Sequence, residues 1–149
     1  MNGFKFVYVT NNRTTPEKIW DALTTREIQR QYWFGIHQES EWKPGASWTM
    51  YMADARVADA GEILEAERPR KIVIKWRNEF LPELKDAGFT RCTYEIEAQG
   101  EVTKLTVVHE AGAQIFIDKV STGWPMILSS LKSLLETGHS LPRTDQVKT

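Results

Sequence analysis

His109 is the residue of this sequence best suited to acid–base chemistry, because an imidazole titrates near neutral pH. Glu110 follows it, but neighbouring residues of a strand point to opposite faces, so this carboxylate cannot orient the ring. His109 shares its face with Leu105 and Val107. Two interpretations stay open: a cavity-wall histidine bonded to a neighbour or water, or the general base of an enzyme. The first is favoured, because buried polar groups are usually satisfied.

No pattern of metal ligands or of phosphate-binding glycines is present. The candidate ligands stand far apart and lack the C-x-x-C or H-x-x-x-H spacing of zinc sites: His37, Cys92, His109 and His139. The single cysteine has no activating base nearby, and its strand position suits a small buried hydrophobic side chain. We therefore expect no metal and no cofactor, and we assign no catalytic residue.

A set of aromatic and sulfur-containing residues is predicted to face the interior. Tryptophan and tyrosine offer one polar atom each on a large apolar surface, and methionine adapts to varied shapes, as in many ligand pockets. The same composition suits a filled core. We predict a ligand-binding cavity lined by Trp33, Phe34, Trp48, Met50, Met52, Trp76, Phe89, Tyr94, His109 and Trp124.

The composition of the whole chain indicates the size of the domain, its partners and its location. A chain of 149 residues with 41% hydrophobic content is the size of one domain, which we place at residues 1–149 with a flexible tail at 142–149. A net charge of -1 gives no reason to expect nucleic acid or a membrane surface as partner. One cysteine and no signal-peptide pattern at Met1 favour a cytoplasmic location.

The first part of the chain predicts one strand and two short helices. Residues 4–10 are rich in β-formers. Thr15 and Pro16 form a helix start, with a side-chain cap and a residue that needs no donor in the first turn. Thr24 with Glu27 three residues later has the spacing of a capping box, which predicts a second start at Thr24.

The middle of the chain predicts an antiparallel sheet. Alternating apolar residues mark strands at 47–54, 57–67, 71–77, 89–98 and 102–110. Residues 81–88 break the alternation and are predicted to be a loop. Short connections between successive strands favour antiparallel pairing.

The last part predicts one long amphipathic helix. Trp124, Leu128 and Leu131 lie on one apolar stripe, with Thr122 as the predicted N-cap and Gly138 as the C-terminal stop. Only this stripe is long enough to cover a sheet face. The expected fold is therefore α+β: a curved antiparallel sheet wrapped around a C-terminal helix, with two short helices after the first strand.

This order resembles the helix-grip fold of the SRPBCC/START-like superfamily, and several stretches are similar to its AHSA1-like (activator of Hsp90 ATPase homologue-like) family. Residues 123–138, GWPMILSSLKSLLETG, resemble the terminal signature of bacterial members. Further matching stretches are residues 15–24, residues 32–34, the turn with Trp42, Gly45 and Trp48, residues 61–65 with Pro69, and residues 105–110.

The resemblance implies an apolar cavity between the sheet and the long helix, but not one chemistry. The first hypothesis is non-catalytic binding of a small hydrophobic or aromatic molecule, oriented by His109, Tyr94 and a tryptophan N–H. The second is a cyclase or aromatase that uses His109 as base. The third is a co-chaperone, with an Hsp90-type chaperone as partner and a role in stress response.

Overall fold

The computed structural model describes residues 3–142. The predicted tail, 142–149, lies outside the described residues except for Pro142. No helix within 3–142 has the length and apolar character needed to span a bilayer. The elements in chain order are β1 (Phe4–Asn12), α1 (Pro16–Thr24), α2 (Arg26–Tyr32), β2 (His37–Ser40), β3 (Ser47–Tyr51), β4 (Val57–Glu67), β5 (Lys71–Asn78), α3 (Pro82–Asp86), β6 (Thr90–Gln99), β7 (Val102–Ala111) and α4 (Gln114–Thr137).

The strands form one curved antiparallel sheet in the order β1-β7-β6-β5-β4-β3-β2. The long helix α4 packs on the inner face of this sheet. The ring of Trp124 in α4 lies 6.1 Å from that of Trp76 in β5 and 6.0 Å from that of Tyr94 in β6, centroid to centroid. The predicted α+β helix-grip architecture is confirmed.

The start of α1 is as predicted, but the start of α2 is not. The Thr15 hydroxyl accepts a hydrogen bond from the backbone N–H of Lys18, and Pro16 begins the helix. Thr24 does not cap α2. It ends α1, its hydroxyl donates to the carbonyl of Trp20, and α2 begins at Arg26 without a side-chain cap. The capping-box spacing at Thr24 was therefore misleading, because its hydroxyl is taken by the preceding turn.

Two segments differ from the sequence prediction. A short edge strand, β2, had not been predicted; its polar residues pair with β3. Residues 81–88 contain the short helix α3 rather than a plain loop, with the Leu84 side chain buried. The five predicted strands of the middle region are confirmed as β3 to β7.

Helix α4 begins eight residues earlier than the predicted N-cap, so that Thr122 lies inside it. Pro125 removes one backbone donor and would normally end a helix. Phe116 and Ile117 are buried and continue the apolar stripe of Trp124 toward the N-terminus, so tertiary packing outweighs the cost of the proline. At the other end, Gly138 takes the left-handed conformation and closes the helix as predicted.

Candidate functional site

An aromatic layer covers the inner face of the central strands. Trp48 of β3, Gly61 of β4 and Trp76 of β5 are lateral neighbours in the sheet. The two indoles approach to 4.5 Å between centroids across the glycine. A side chain at Gly61 has no space, because a Cβ there would lie 1.7 Å from the backbone oxygen of Lys75. The glycine thus permits the close approach of β4 to β5 beneath the aromatic layer.

A cavity of about 190 Å³ lies between this layer and α4. An engineered apolar cavity of about 150 Å³ is enough to admit benzene. The described residues that line the cavity are mostly apolar: Trp33, Ile36, Met50, Met52, Ala58, Asp59, Trp76, Asn78, Phe80, Leu81, Leu84, Phe116, Lys119, Val120, Gly123, Trp124 and Ile127. The site therefore has the character of a small-molecule pocket.

A wider outer groove adjoins the cavity and shares part of its wall. Trp33, Met52 and Gly123 border both spaces, and Phe34 lines the groove alone. A Cβ on Gly123 would meet only the Ile127 side chain, at 4.0 Å. The glycine therefore keeps open the region where the groove meets the cavity.

Nine of the ten predicted ligand-binding residues fall into three groups. Trp33, Met50, Met52, Trp76 and Trp124 line the cavity, and Phe34 lines the outer groove. The third group is buried and lines neither the cavity nor the groove: Trp48, Tyr94 and His109.

Phe89 does not face the interior, so that expectation is wrong. Its side chain is 40% exposed. The ammonium of Lys75 and the guanidinium of Arg77 lie 4.5 and 4.8 Å from its ring centroid. Phe89 precedes β6, so the alternation of that strand does not determine the direction of its side chain. The cation–π contacts stabilise it on the outer surface.

His109 is held as a neutral ring within the core. Its Nδ1 accepts a hydrogen bond from Trp124 Nε1 at 3.2 Å, which leaves the proton on Nε2. That proton is donated to Thr90 Oγ1 at 2.9 Å, and the Thr90 hydroxyl in turn donates to the carbonyl of Trp76. Burial lowers the pKa of His109 to about 3. This ring is a structural link between β6, β7 and α4, and it does not reach the cavity as a base.

The indole N–H groups of the layer are also engaged within the protein. Trp48 donates to Gln38 Oε1 at 2.8 Å. Gln38 belongs to β2, and its backbone N–H donates to Gln29 of α2 at 2.5 Å. The edge strand that the sequence had not indicated therefore fixes the orientation of Trp48.

Asp59 is the titratable group that the sequence interpretation missed. It lies in β4 between Met50 of β3 and Asn78 of β5, lines the cavity, and is 7% exposed. Its Oδ2 accepts hydrogen bonds from Trp76 Nε1 at 2.6 Å and from Asn78 Nδ2 at 3.4 Å. Burial, assisted by the negative charge of Glu79, outweighs these donors and raises the pKa of Asp59 to about 7.

A signal for Asp59 was present in the sequence. The inner face of β4 follows Asp59, Gly61 and the fully buried Ile63, whereas Glu62 between them is exposed. Strand alternation therefore places this carboxylate on the core side. Most of the remaining lining residues come from α4, α3, the loop after β5 and the segment before β2, whose positions depend on tertiary packing.

Metal and thiol chemistry find no support among the described residues. Within 3–142, no three histidine, cysteine or acidic side chains converge as a metal site. Cys92 is fully buried, and burial raises the pKa of its thiol far above the usual range. Such a thiol is protonated and unreactive at neutral pH.

A long helix held by a curved antiparallel sheet, with an apolar cavity between them, defines the helix-grip class of proteins. The family described as activator of Hsp90 ATPase homolog 1-like protein, AHSA1, matches residues 13–136. The chain belongs to this family, which confirms the resemblance found in its sequence.

Solved structures of the same fold are similar over most of the chain. CalU16 from Micromonospora echinospora has a TM-score of 0.73 and 18% identity, over 90% of this chain and 77% of that one. A protein described as an Hsp90 activator from Plasmodium falciparum has 0.73 and 21%, over 89% and 96%. The Aha1 dimer from Colwellia psychrerythraea has 0.72 and 17%, over 91% and 98%. Among curated protein sequences, none matches.

Proposed function

We propose that this protein binds a small hydrophobic or aromatic molecule, without catalysis, in the cavity between the sheet and α4. The observation that carries the proposal is the cavity of about 190 Å³, whose wall includes three tryptophans and two methionines. Filled cores have few voids larger than a water molecule, so a space of this size beside an open groove suits a ligand.

Most of the polar groups expected to orient the ligand are taken by protein partners or lie outside the cavity wall. His109 and the Trp76 and Trp124 N–H groups are occupied by protein partners. Tyr94 is fully buried away from the cavity. Besides the tryptophans, the polar side chains that line the cavity among the described residues are Asp59, Asn78 and the exposed Lys119. The cyclase hypothesis likewise loses His109 as its base, because this ring does not line the cavity.

A thermal-shift screen with one- and two-ring aromatic compounds, followed by native mass spectrometry, tests the proposal. The blocked variant is Gly123→Leu, which places a side chain where the groove meets the cavity. Its matched control is Ser129→Leu, on the exposed face of the same helix. We expect compounds that stabilise the wild type and Ser129→Leu but not Gly123→Leu. Equal stabilisation of all three proteins, or of none, would contradict the proposal.

A second candidate function is interaction with an Hsp90-type chaperone. Family membership supports it, as does the fold shared with the Plasmodium falciparum protein that is described as an Hsp90 activator. Purified Hsp90 provides the test: retention of this chain in a pull-down, together with faster ATP hydrolysis, is the expected result. If neither occurs at micromolar concentrations, the co-chaperone role and its link to stress response fail.

A further inference from the structure

Asp59 is an incompletely paired carboxyl group in the wall of a mostly apolar cavity. Its Oδ2 accepts both N–H donors, whereas Oδ1 has no hydrogen-bond partner among the described residues. The direction of the Asn78 amide is fixed, because Asn78 Oδ1 accepts the backbone N–H groups of Phe80 and Leu81. Its Nδ2 is thereby held toward Asp59, and Asp59 Oδ1 is left for a partner that enters the cavity.

Among the described residues, no cation is paired with Asp59. Glu79 is the charged neighbour that perturbs it, and Glu79 is itself paired with Arg77 and Lys85. Lys119, from α4, is exposed at the edge of the cavity and is not among the groups that shift the Asp59 pKa.

The outer groove carries its own paired charges. Arg56, at the groove, is bonded to Asp54 and lies over the ring of Phe80. When Asp59 is ionised, the inner part of the cavity therefore carries a negative charge that is paired with no positive group of the described residues.

The surrounding rings favour a positive partner for this carboxyl group. Trp33, Trp76 and Trp124 contribute to the same cavity wall. Tryptophan faces attract organic cations, and a charge-assisted hydrogen bond is about twice as strong as a neutral one. A neutral ligand would gain only a single bond from the protonated acid.

We infer that Asp59 anchors the ligand and that the cavity selects a small aromatic molecule carrying a basic amine, with the ammonium group on Asp59 Oδ1 and the ring among the tryptophans. This inference rests on the proposed ligand-binding function and adds the chemical class of the ligand. It assigns to Asp59 a role in binding and orientation. The raised pKa of Asp59 is consistent with a buried carboxyl group that has no cation beside it among the described residues.

The test compares benzylamine, benzyl alcohol and toluene, which share one ring and differ in the polar group. Their affinities are measured by NMR titration at pH 8 for the wild type, Asp59→Asn and Asp54→Asn. Asparagine at position 59 keeps an acceptor for Trp76 and removes the charge. Asp54→Asn removes a carboxylate at the outer groove, where Arg56 is its partner.

We expect the wild type and Asp54→Asn to bind benzylamine at least tenfold more tightly than benzyl alcohol, and Asp59→Asn to lose this preference. In the wild type alone, the benzylamine affinity falls at least tenfold between pH 8 and pH 5, because the proton on Asp59 competes with the ammonium. This second measurement does not depend on the folding of a variant.

The possible outcomes distinguish a failure of the Asp59 anchor from a failure of ligand binding in the cavity. If benzyl alcohol and toluene bind as well as benzylamine, the anchor is refuted and the ligand-binding function stands. If benzyl alcohol binds best and gains affinity at low pH, Asp59 acts as a neutral donor and the amine preference is refuted. If none of the three compounds binds, the proposed function fails together with the anchor.

Discussion

Asp59 and Trp76 lie on neighbouring strands and are joined by a 2.6 Å hydrogen bond in which the indole Nε1–H donates to Oδ2. The bond orients a carboxyl group and a cavity-lining indole with respect to each other. It favours the ionised acid, yet burial has the larger effect and raises the pKa of Asp59 to about 7. The charge of Asp59, and with it the stability of the folded protein, therefore depends on pH in the neutral range.

Asp59→Asn is expected to remove a pH-dependent loss of stability. The pKa of this carboxyl is 3.8 when unperturbed and about 7 in the fold. The unfolded chain therefore releases a proton that the folded chain retains, and stability is lost as the pH rises from about 4 to 7. Relative to Asp59→Asn, the wild type should lose roughly 4 kcal/mol across this range in urea unfolding. Parallel stability profiles would contradict the environment described for Asp59.

His109→Gln is expected to reduce the loss of stability in acid. Burial lowers the pKa of His109 from 6.5 to about 3, so its contribution is present above pH 6.5 and is lost as the pH falls toward 3. By pH 4 the wild type should have lost roughly 3 kcal/mol through this group. Glutamine can accept from Trp124 and donate to Thr90 without titrating. Urea unfolding at pH 7 and pH 4 checks this; an equal loss in both proteins would show that the ring is not neutral and buried.

Gly61→Ala should disrupt the aromatic layer. The new Cβ would meet the backbone oxygen of Lys75, which can move only if β4 and β5 separate. We expect a loss of about 3 kcal/mol in the free energy of unfolding, at the upper end of overpacking costs. Gly112→Ala is the control, because its Cβ has no neighbour within 4 Å. A similar small effect for both variants would refute the close approach at Gly61.

Gly123→Ala should stabilise the protein. Glycine in the interior of α4 costs about 1 kcal/mol relative to alanine, and the added methyl meets only Ile127, at 4.0 Å. A higher thermal midpoint is therefore expected. A lower midpoint would mean that the space at the meeting of groove and cavity is already filled.

The fold was accessible from the sequence because its patterns are local and repeated. The alternation in β3 and β5 and the stripe around Trp124 predicted both layers and their contact. Helix α4 was predicted too short because Pro125 is a strong local breaker, whereas the burial of Phe116 is a tertiary effect.

The cavity was less predictable than the fold. Strand alternation predicted the direction of Trp76 and Met50, but not whether the space between them and α4 is filled. Phe89 lies at a strand end, where alternation no longer predicts the direction of a side chain. Asp59 was overlooked because a carboxylate in a strand is usually exposed, and its burial depends on Trp76 and Asn78 from the next strand.

Ligand binding in the cavity is tested most directly by the indole N–H signals in a two-dimensional ¹H–¹⁵N NMR titration with an aromatic compound that stabilises the protein. Trp33, Trp76 and Trp124 line the cavity, whereas Trp42 borders neither the cavity nor the groove. We predict that the first three signals shift with one common Kd while the Trp42 signal stays in place. A shift confined to Trp42, or no saturable shift of the other three, would contradict the account.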